Sequence, residues 1–157
     1  MADSCDEPIA LSAHALAALA EFKAEKDVHQ AKFAELQAEA EANAPLSMEA
    51  FTEDWNESQF WYSDETAGIL ANQLLDGSAS STAIGVVSTP SVFVALRNIL
   101  SLRSLTLQRT RQQSERPHLV LLEHDERFAV FPEFVHYDFQ QPLKLPAWIE
   151  SSATLHF

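Results

Sequence analysis

The 157-residue sequence is poor in glycine and cysteine, with three glycines and one cysteine. Cys5 has no second cysteine with which to form a disulfide inside the chain, which favours a reducing compartment. Gly68, Gly77 and Gly85 form no glycine-rich turn, and none of them follows the first predicted strand. A pyrophosphate-binding loop is therefore disfavoured, because close approach of the backbone to that group requires glycine.

Long hydrophobic runs are also missing. No apolar run approaches the roughly 18 residues of a membrane-spanning helix. The N-terminus, with Asp3, Asp6 and Glu7, lacks the basic and apolar regions of a signal peptide. We therefore expect a soluble, intracellular protein that contacts no membrane.

Basic residues are scarce and acidic ones are not, since 10 Lys and Arg face 23 Asp and Glu, for a net charge of -13. Residues 1–80 hold 16 acids and 3 lysines, whereas residues 81–157 hold 7 acids and 7 basic residues. Such a surface repels phosphate backbones, so no nucleic-acid partner is expected, and it favours solubility or a basic partner. The six histidines have no metal-ligand spacing, and no metal site is expected.

An apolar content of 46% is enough to bury a core in one domain of this length. Compact apolar runs at 84–87, 119–122 and 134–137 predict strands of a parallel sheet. A helical pattern follows the first run and ends near Leu102, and the chain from 153 onwards reads as the start of another strand. The sequence therefore predicts an α/β fold.

Helices precede these strands. Ser12 begins an alanine-rich stretch over 11–44, which predicts one or two amphipathic helices packed against the chain's own domain, with partner binding as the alternative. Residues 47–60 read as an irregular segment, and 64–75 as a helix that stops at Asp76 and Gly77. The arginine-rich segment 101–117 is predicted to be a flexible loop.

Polar residues follow each of the predicted strands. Ser88, Thr89, Pro90 and Ser91 come after the first run, Glu123 and Asp125 after the second, and Asp138 after the third. Ligands of open α/β sheets bind outside the carboxyl ends of the strands. The bend and the acids are therefore expected to line one crevice.

These residue types fit a nucleoside joined to an amino acid. A carboxylate after the second strand suits the two hydroxyls of a ribose, with Glu123 the first candidate and Asp125 the second. Asp138 is a candidate acceptor for an adenine amine, and the amides of the bend suit an amino-acid carboxylate. Ribose, adenine and amino acid together describe S-adenosylmethionine.

Two alternatives stay open on pattern alone. Acids at strand ends also cap helices or pair with a neighbour such as Arg127. The aromatic cluster of Phe60, Trp61 and Tyr62 forms either a flat wall beside a purine or an anchor in the core.

Several segments in order resemble one known family. They are LSAHALAALAEF at 11–22, SQFWYSDETA at 58–67, VVSTPSVFVALRN at 86–98, LLEHDERF at 121–128, and FVHYDF at 134–139 with Leu145 and Pro146. This set resembles the eukaryotic protein-lysine methyltransferases of translation elongation factor 1-alpha, a family formerly described as N6-adenine DNA methyltransferases. The resemblance covers nearly the whole chain except the arginine-rich loop.

The resemblance implies a Rossmann-like class I methyltransferase fold that uses S-adenosylmethionine as cofactor and a lysine amine of elongation factor 1-alpha as acceptor. Position by position, it places the bend at the methionine end of the cofactor, Glu123 at the ribose and Asp138 near the adenine. Trp61, Tyr62 and Ser63 match the family motif that helps to close the site.

The sequence departs from the family in one respect, because none of its seven prolines lies in the Asp-Pro-Pro motif that holds the acceptor nitrogen. No catalytic residue is therefore assigned. We expect an N-terminal portion of the enzyme, with only the first three parallel strands, an unpaired edge along 84–87 and no transfer activity alone. Residues 1–46 are predicted to be an acidic helical extension and 47–157 a partial cofactor-binding domain. The alternatives are an adenine-directed nucleic-acid methyltransferase and an inactive binding fragment.

Overall fold

The structure is a computed structural model that describes residues 11–51, 61–107, 116–150 and 155–156. Its helices and strands are, in chain order, α1 (Ala13–Glu41), α2 (Asp64–Leu75), β1 (Ala83–Val87), α3 (Pro90–Leu107), β2 (His118–Glu123), β3 (Phe134–His136), α4 (Ala147–Glu150) and β4 (Leu155–His156). The 3₁₀ turns Met48–Phe51 and Glu126–Val130 precede α2 and β3 respectively. The α/β prediction is confirmed.

The described strands form one parallel sheet in the order β3-β2-β1-β4. Val87 of β1 lies opposite Leu122 of β2, and Glu123 of β2 lies opposite His136 of β3. This is the strand order of a Rossmann-like sheet, in which the order reverses between the first and fourth strands and ligands bind at that reversal. The fold therefore places the carboxyl end of β1 at the position where such sheets bind ligands.

Both faces of the sheet are covered, which explains the uninterrupted apolar runs. Ile84 and Leu121 belong to the main core on one face, together with Phe93 of α3, and all three are fully buried. Leu122 faces the other side and packs with Ile149 of α4 in a smaller cluster. A strand that is buried on both faces has apolar side chains on both, so its sequence does not alternate between apolar and polar residues.

The sequence prediction of an unpaired edge along 84–87 is wrong at its first residue. Leu155 and His156 of β4 pair with Ala83 and Ile84, so the start of β1 has a neighbour on each side. Leu155 and His156 belong to the segment from 153 onwards that suggested the entry to another strand.

The prediction that the helix ends near Leu102 is also wrong, since α3 continues to Leu107. The first part of the predicted 101–117 loop is therefore helical, and 108–115 lie outside the described residues. No glycine or proline interrupts 91–116, and leucine and arginine are good helix formers. Ser101 is buried, so the helix still packs against the body where the sequence predicted its end.

The N-terminal helix α1 is a single helix of 29 residues, capped by Ser12, whose hydroxyl accepts a hydrogen bond from the Ala15 amide at 3.2 Å. Among the described residues, those of its C-terminal part pack on the body. Ala40 is buried, and the buried Arg97 donates to the Ala40 carbonyl and forms an ion pair with Glu133 at 3.3 Å. Packing of the whole helix against the domain is therefore not observed. None of the described helices is long and apolar enough to cross a membrane.

Candidate functional site

The bend after β1 has a positive φ at a residue other than glycine. Ser88 has a φ of 51°, in the left-handed region that side chains rarely adopt, and its amide donates to the Leu122 carbonyl at 2.9 Å. Pro90 then occupies the first position of α3, where its fixed φ suits a helix and its missing N–H costs nothing. The Thr89 carbonyl accepts from the Val92 amide at 3.0 Å, and its hydroxyl donates to the Val87 carbonyl at 3.4 Å.

This bend presents the start of an 18-residue helix at the carboxyl edge of the sheet. Ser91, in the first turn of α3, is 3% exposed, whereas Ser88 is exposed. The N-terminus of a helix carries partial positive charge and amides without intrahelical partners, which favours a carboxylate. The bend can therefore hold an anionic group without a glycine-rich loop.

Glu123 ends β2 beside this bend. Its Oε1 accepts from the His124 amide at 2.7 Å and from the Asp125 amide at 3.2 Å. The residue is only 1% exposed. Contact with a ligand therefore requires the neighbouring side chains to move aside, after which the carboxylate offers a charged acceptor that suits paired hydroxyls.

Asp125, the second candidate for the ribose, is held by its neighbour Arg127. Nη2 of Arg127 lies 2.6 Å from Oδ2, and Nε donates to Oδ2 at 2.8 Å and to Oδ1 at 3.0 Å. Asp125 Oδ1 also caps the Glu126–Val130 turn by accepting from the Arg127 amide at 2.9 Å. The structure thus shows, for Asp125, the capping and pairing that the sequence left open as an alternative.

Asp138 follows β3 in a turn of its own. Oδ1 accepts from the Gln140 amide at 2.8 Å, and Oδ2 accepts from the Gln141 side chain at 3.1 Å. The carboxylate therefore orders this turn, and the residue is partly exposed. The neighbouring Tyr137 amide donates to the Glu123 carbonyl at 2.9 Å, which ties the turn to the end of β2.

The three aromatic and hydroxyl residues before β1 have different positions. Trp61 lies edge-on to Phe128 with 6.2 Å between ring centroids, so it packs against the core. Tyr62 is 48% exposed, and Ser63 caps α2 by accepting from the Thr66 amide at 3.3 Å. Phe60, the third member of the predicted aromatic cluster, lies outside the described residues.

Backbone register brings three of the predicted pieces to one edge. The Ser88 amide bonds to β2 one residue before Glu123, and Glu123 pairs with His136, two residues before Asp138. The bend at Ser88, then Glu123 and then Asp138 therefore lie in this order along the carboxyl ends of β1, β2 and β3. Here we call this edge the rim. Asp125 instead pairs with Arg127, Ser63 caps α2, and the Tyr62 side chain is exposed.

Two features of this region escaped the sequence reasoning. Arg127 also donates to the Phe51 carbonyl at 2.7 Å, and its guanidinium carbon lies 5.7 Å from the Trp61 ring centroid. The rings of His124 and His136 lie 5.1 Å apart at the rim. The contacts of Arg127 span 76 and 66 residues of sequence, and the histidine pair depends on strand register, so no local pattern signals either. In the part of the chain that the structure describes, no group of three or more His, Cys, Asp or Glu is placed to hold a metal ion.

Comparison with known proteins assigns a family to this fold. A family model described as "Probable N6-adenine methyltransferase" matches residues 53–156. The chain belongs to this family. The match includes the bend, Glu123 and Asp138.

Similar proteins from three organisms have names that specify protein methylation. "Protein-lysine N-methyltransferase EFM5" of Saccharomyces cerevisiae is 39% identical over 141 residues, which cover 85% of this chain and 53% of that protein. "EEF1A lysine methyltransferase 1" of Gallus gallus is 36% identical over 148 residues, covering 93% and 61%. The Homo sapiens protein of the same name is 37% identical over 142 residues, covering 90% and 56%.

The chain spans only about half to three fifths of the length of these relatives. No solved structure matches it. The relatives therefore support the family, and the resemblance stated from the sequence motifs is confirmed.

Proposed function

We propose that this chain is the S-adenosylmethionine-binding part of a cytoplasmic protein-lysine N-methyltransferase that acts on translation elongation factor 1-alpha. The observation that carries the proposal is the rim: the helix-starting bend at Ser88 and Glu123 follow the carboxyl ends of two neighbouring strands, at the strand-order reversal of a Rossmann-like sheet. The names of the relatives support the protein substrate.

Each end of the cofactor has a chemically suitable partner at the rim. The bend Ser88, Thr89, Pro90 and Ser91 suits the carboxylate of the methionine moiety, because the Thr89 and Ser91 amides lie at the start of a helix whose dipole favours an anion. Glu123 suits the ribose hydroxyls, and Asp138 suits the adenine amine. When bound, S-adenosylmethionine supplies an electrophilic methyl group.

The remaining predicted site residues have supporting parts in this proposal. Asp125 orients the loop that carries Glu123, since its amide donates to Glu123 and its carboxylate is fixed by Arg127. Trp61 forms the wall behind that loop through its contact with Phe128. Tyr62 and Ser63 follow Trp61 directly and supply an exposed aromatic ring and the cap of α2.

The proposal is tested by isothermal titration of the chain with S-adenosylhomocysteine. Removing the charge of Glu123 in Glu123→Gln should weaken binding at least tenfold, since hydrogen bonds to a charged group contribute about 1.5–3 kcal/mol. Glu35→Gln removes one negative charge from an exposed site on α1 and should change affinity less than twofold. Equal affinities for Glu123→Gln and the wild type, or a wild type that does not bind, would contradict the proposal.

Methyl transfer by this chain alone is not expected, because the sequence contains no Asp-Pro-Pro motif to hold an acceptor amine. Holding a neutral lysine amine in line with the methyl donor is positioning work, and it needs that contact. The measurement is transfer of a labelled methyl group to purified elongation factor 1-alpha. Transfer by the 157-residue chain would show that other residues hold the acceptor.

An adenine-directed nucleic-acid methyltransferase is the second candidate, favoured by the printed description of the family. The charge of -13 disfavours it, because a nucleic-acid site needs a basic face. Filter binding to RNA and DNA at moderate salt separates the two. Retention of either nucleic acid would favour the second candidate.

A further inference from the structure

One line of residues runs along the whole of α1. Its members are spaced by alternating steps of four and three residues, which keeps them on one side of a helix. They are Ala15, Leu19, Phe22, Lys26, His29, Phe33, Leu36 and Ala40. This line, here called the α1 stripe, is mainly apolar.

The two ends of the α1 stripe have different surroundings. Ala40 is fully buried and Leu36 packs against the main core. Leu19 is 40% exposed and Phe22 is 62% exposed. Phe22 and Ala40 are separated by about 27 Å along the helix axis at 1.5 Å per residue. The stripe therefore begins as part of the core and continues as an exposed apolar surface, a kind of surface that marks interaction sites.

The middle of the α1 stripe lies beside the turn that follows β2. His29, Phe33 and Leu36 line a cavity of about 310 Å³ together with Phe51 and Arg127. Arg127 is the residue that fixes Asp125 in the loop after β2. A macromolecule that reaches the rim from this side would therefore also meet the exposed part of the stripe.

Charge decides which kind of occupant fits. The 29 residues of α1 hold six acids and three lysines, and in the exposed stretch near Phe22 three acids, Glu21, Glu25 and Asp27, outnumber Lys23 and Lys26. A second copy of a chain with a net charge of -13 is repelled, whereas a basic protein is attracted.

We propose that the α1 stripe binds the protein substrate by contacting an apolar patch on a basic surface of the substrate. This inference rests on the proposed function, because the substrate is a lysine-bearing protein and the stripe lies beside the turn that follows Glu123 and Asp125. Exposed leucine and phenylalanine supply the buried area, and the acids of α1 select a basic surface. Elongation factor 1-alpha is the substrate to be tested.

The test measures binding of purified elongation factor 1-alpha to the full chain by biolayer interferometry. The double variant Leu19→Gln with Phe22→Gln makes the stripe polar while keeping a good helix-forming residue at each position. The matched control is Val28→Gln, because Val28 is 68% exposed and lies nine residues from Leu19, which is on the opposite side of the helix. Circular dichroism checks that α1 remains helical in each variant.

We expect the double variant to bind elongation factor 1-alpha at least tenfold more weakly than the wild type, and Val28→Gln to stay within twofold. Affinity should fall as salt is raised. Equal binding by all three proteins, or no binding by the wild type, would overturn the proposal. So would sedimentation showing a wild-type dimer that the double variant abolishes, since the occupant would then be a second copy.

Titration with S-adenosylhomocysteine on the same preparations keeps the two proposals separate. Its affinity should be the same for the wild type and the double variant, since Leu19 and Phe22 lie far from the packed end of α1. Stripe-dependent binding of the factor by a chain that does not bind S-adenosylhomocysteine would refute the proposed cofactor site and support the docking surface.

Discussion

Replacing Arg127 by methionine tests whether one side chain holds the loop that presents Glu123. Arg127 pairs with Asp125, donates to the Phe51 carbonyl and stacks against Trp61, so it joins three separate parts of the chain. Methionine keeps an unbranched apolar side chain and removes the guanidinium group. The substitution therefore removes mainly the charge of Arg127 and the hydrogen bonds of its guanidinium group.

The expected cost follows from the burial of the partner. The Asp125 side chain is 3% exposed and the Arg127 side chain 22%. Removing one member of a buried ion pair costs about 3–5 kcal/mol, because the other charge stays buried without compensation. Partial exposure of Arg127 allows water to reach the vacated position, so we expect about 3 kcal/mol, the lower end of that range. That is a large share of the roughly 5–15 kcal/mol that stabilise a typical domain.

Urea denaturation followed by circular dichroism measures this cost, with Arg127→Met, Asp125→Asn and the double variant compared in one series. Asp125→Asn removes the buried charge, so the later loss of Arg127 should matter less. We expect the double variant to be more stable than the sum of the single losses predicts, by at least about 1 kcal/mol. A loss below about 1 kcal/mol for Arg127→Met, or additive losses, would refute this account of the loop.

Two further substitutions test the bend and the core, each by urea denaturation. Because Ser88 has a φ of 51°, Ser88→Val should destabilise the chain by about 1–3 kcal/mol, whereas Ser88→Gly should cost less than about 1 kcal/mol; equal losses would contradict the left-handed bend. Phe93 is fully buried and its ring centroid lies 5.1 Å from that of Phe131, so Phe93→Ala should cost about 3–5 kcal/mol, and a loss below about 1 kcal/mol would place Phe93 outside the core.

The strands were predictable because burial on both faces of the sheet requires short runs of apolar residues, which are visible in the sequence. Runs at 84–87, 119–122 and 134–137 lie within two residues of the observed bounds of β1, β2 and β3. A parallel sheet then places their carboxyl ends at one edge, so the order of bend and acids also followed from sequence. The assignment of these residues to a cofactor stays a prediction, as do the domain limits at 1–46 and 47–157.

Contacts between distant segments were not predictable. The pattern of α1 indicated burial, yet in the described part of the chain it is the C-terminal part of α1 that packs. Its anchoring bond comes from Arg97, 57 residues beyond Ala40, which no local pattern shows. The sequence left two roles open for Asp125, ribose binding or pairing with a neighbour, and the structure shows that it pairs with Arg127. Sequence spacing shows which residues can meet, whereas burial and long-range partners decide which of them do.

The scarcity of glycine has a structural counterpart at the rim. A bend with positive φ normally relies on glycine, yet Ser88 adopts it, because its amide is fixed to the Leu122 carbonyl by the pairing of β1 with β2. Leu122 is followed directly by Glu123, so the same register that holds the bend also sets the position of the acid. A shift of one residue between β1 and β2 would release the Ser88 amide and reverse the side of the sheet on which Glu123 lies. The pairing of β1 with β2 therefore fixes the positions of both the bend and Glu123, and a change in its register would disturb both parts of the proposed cofactor site.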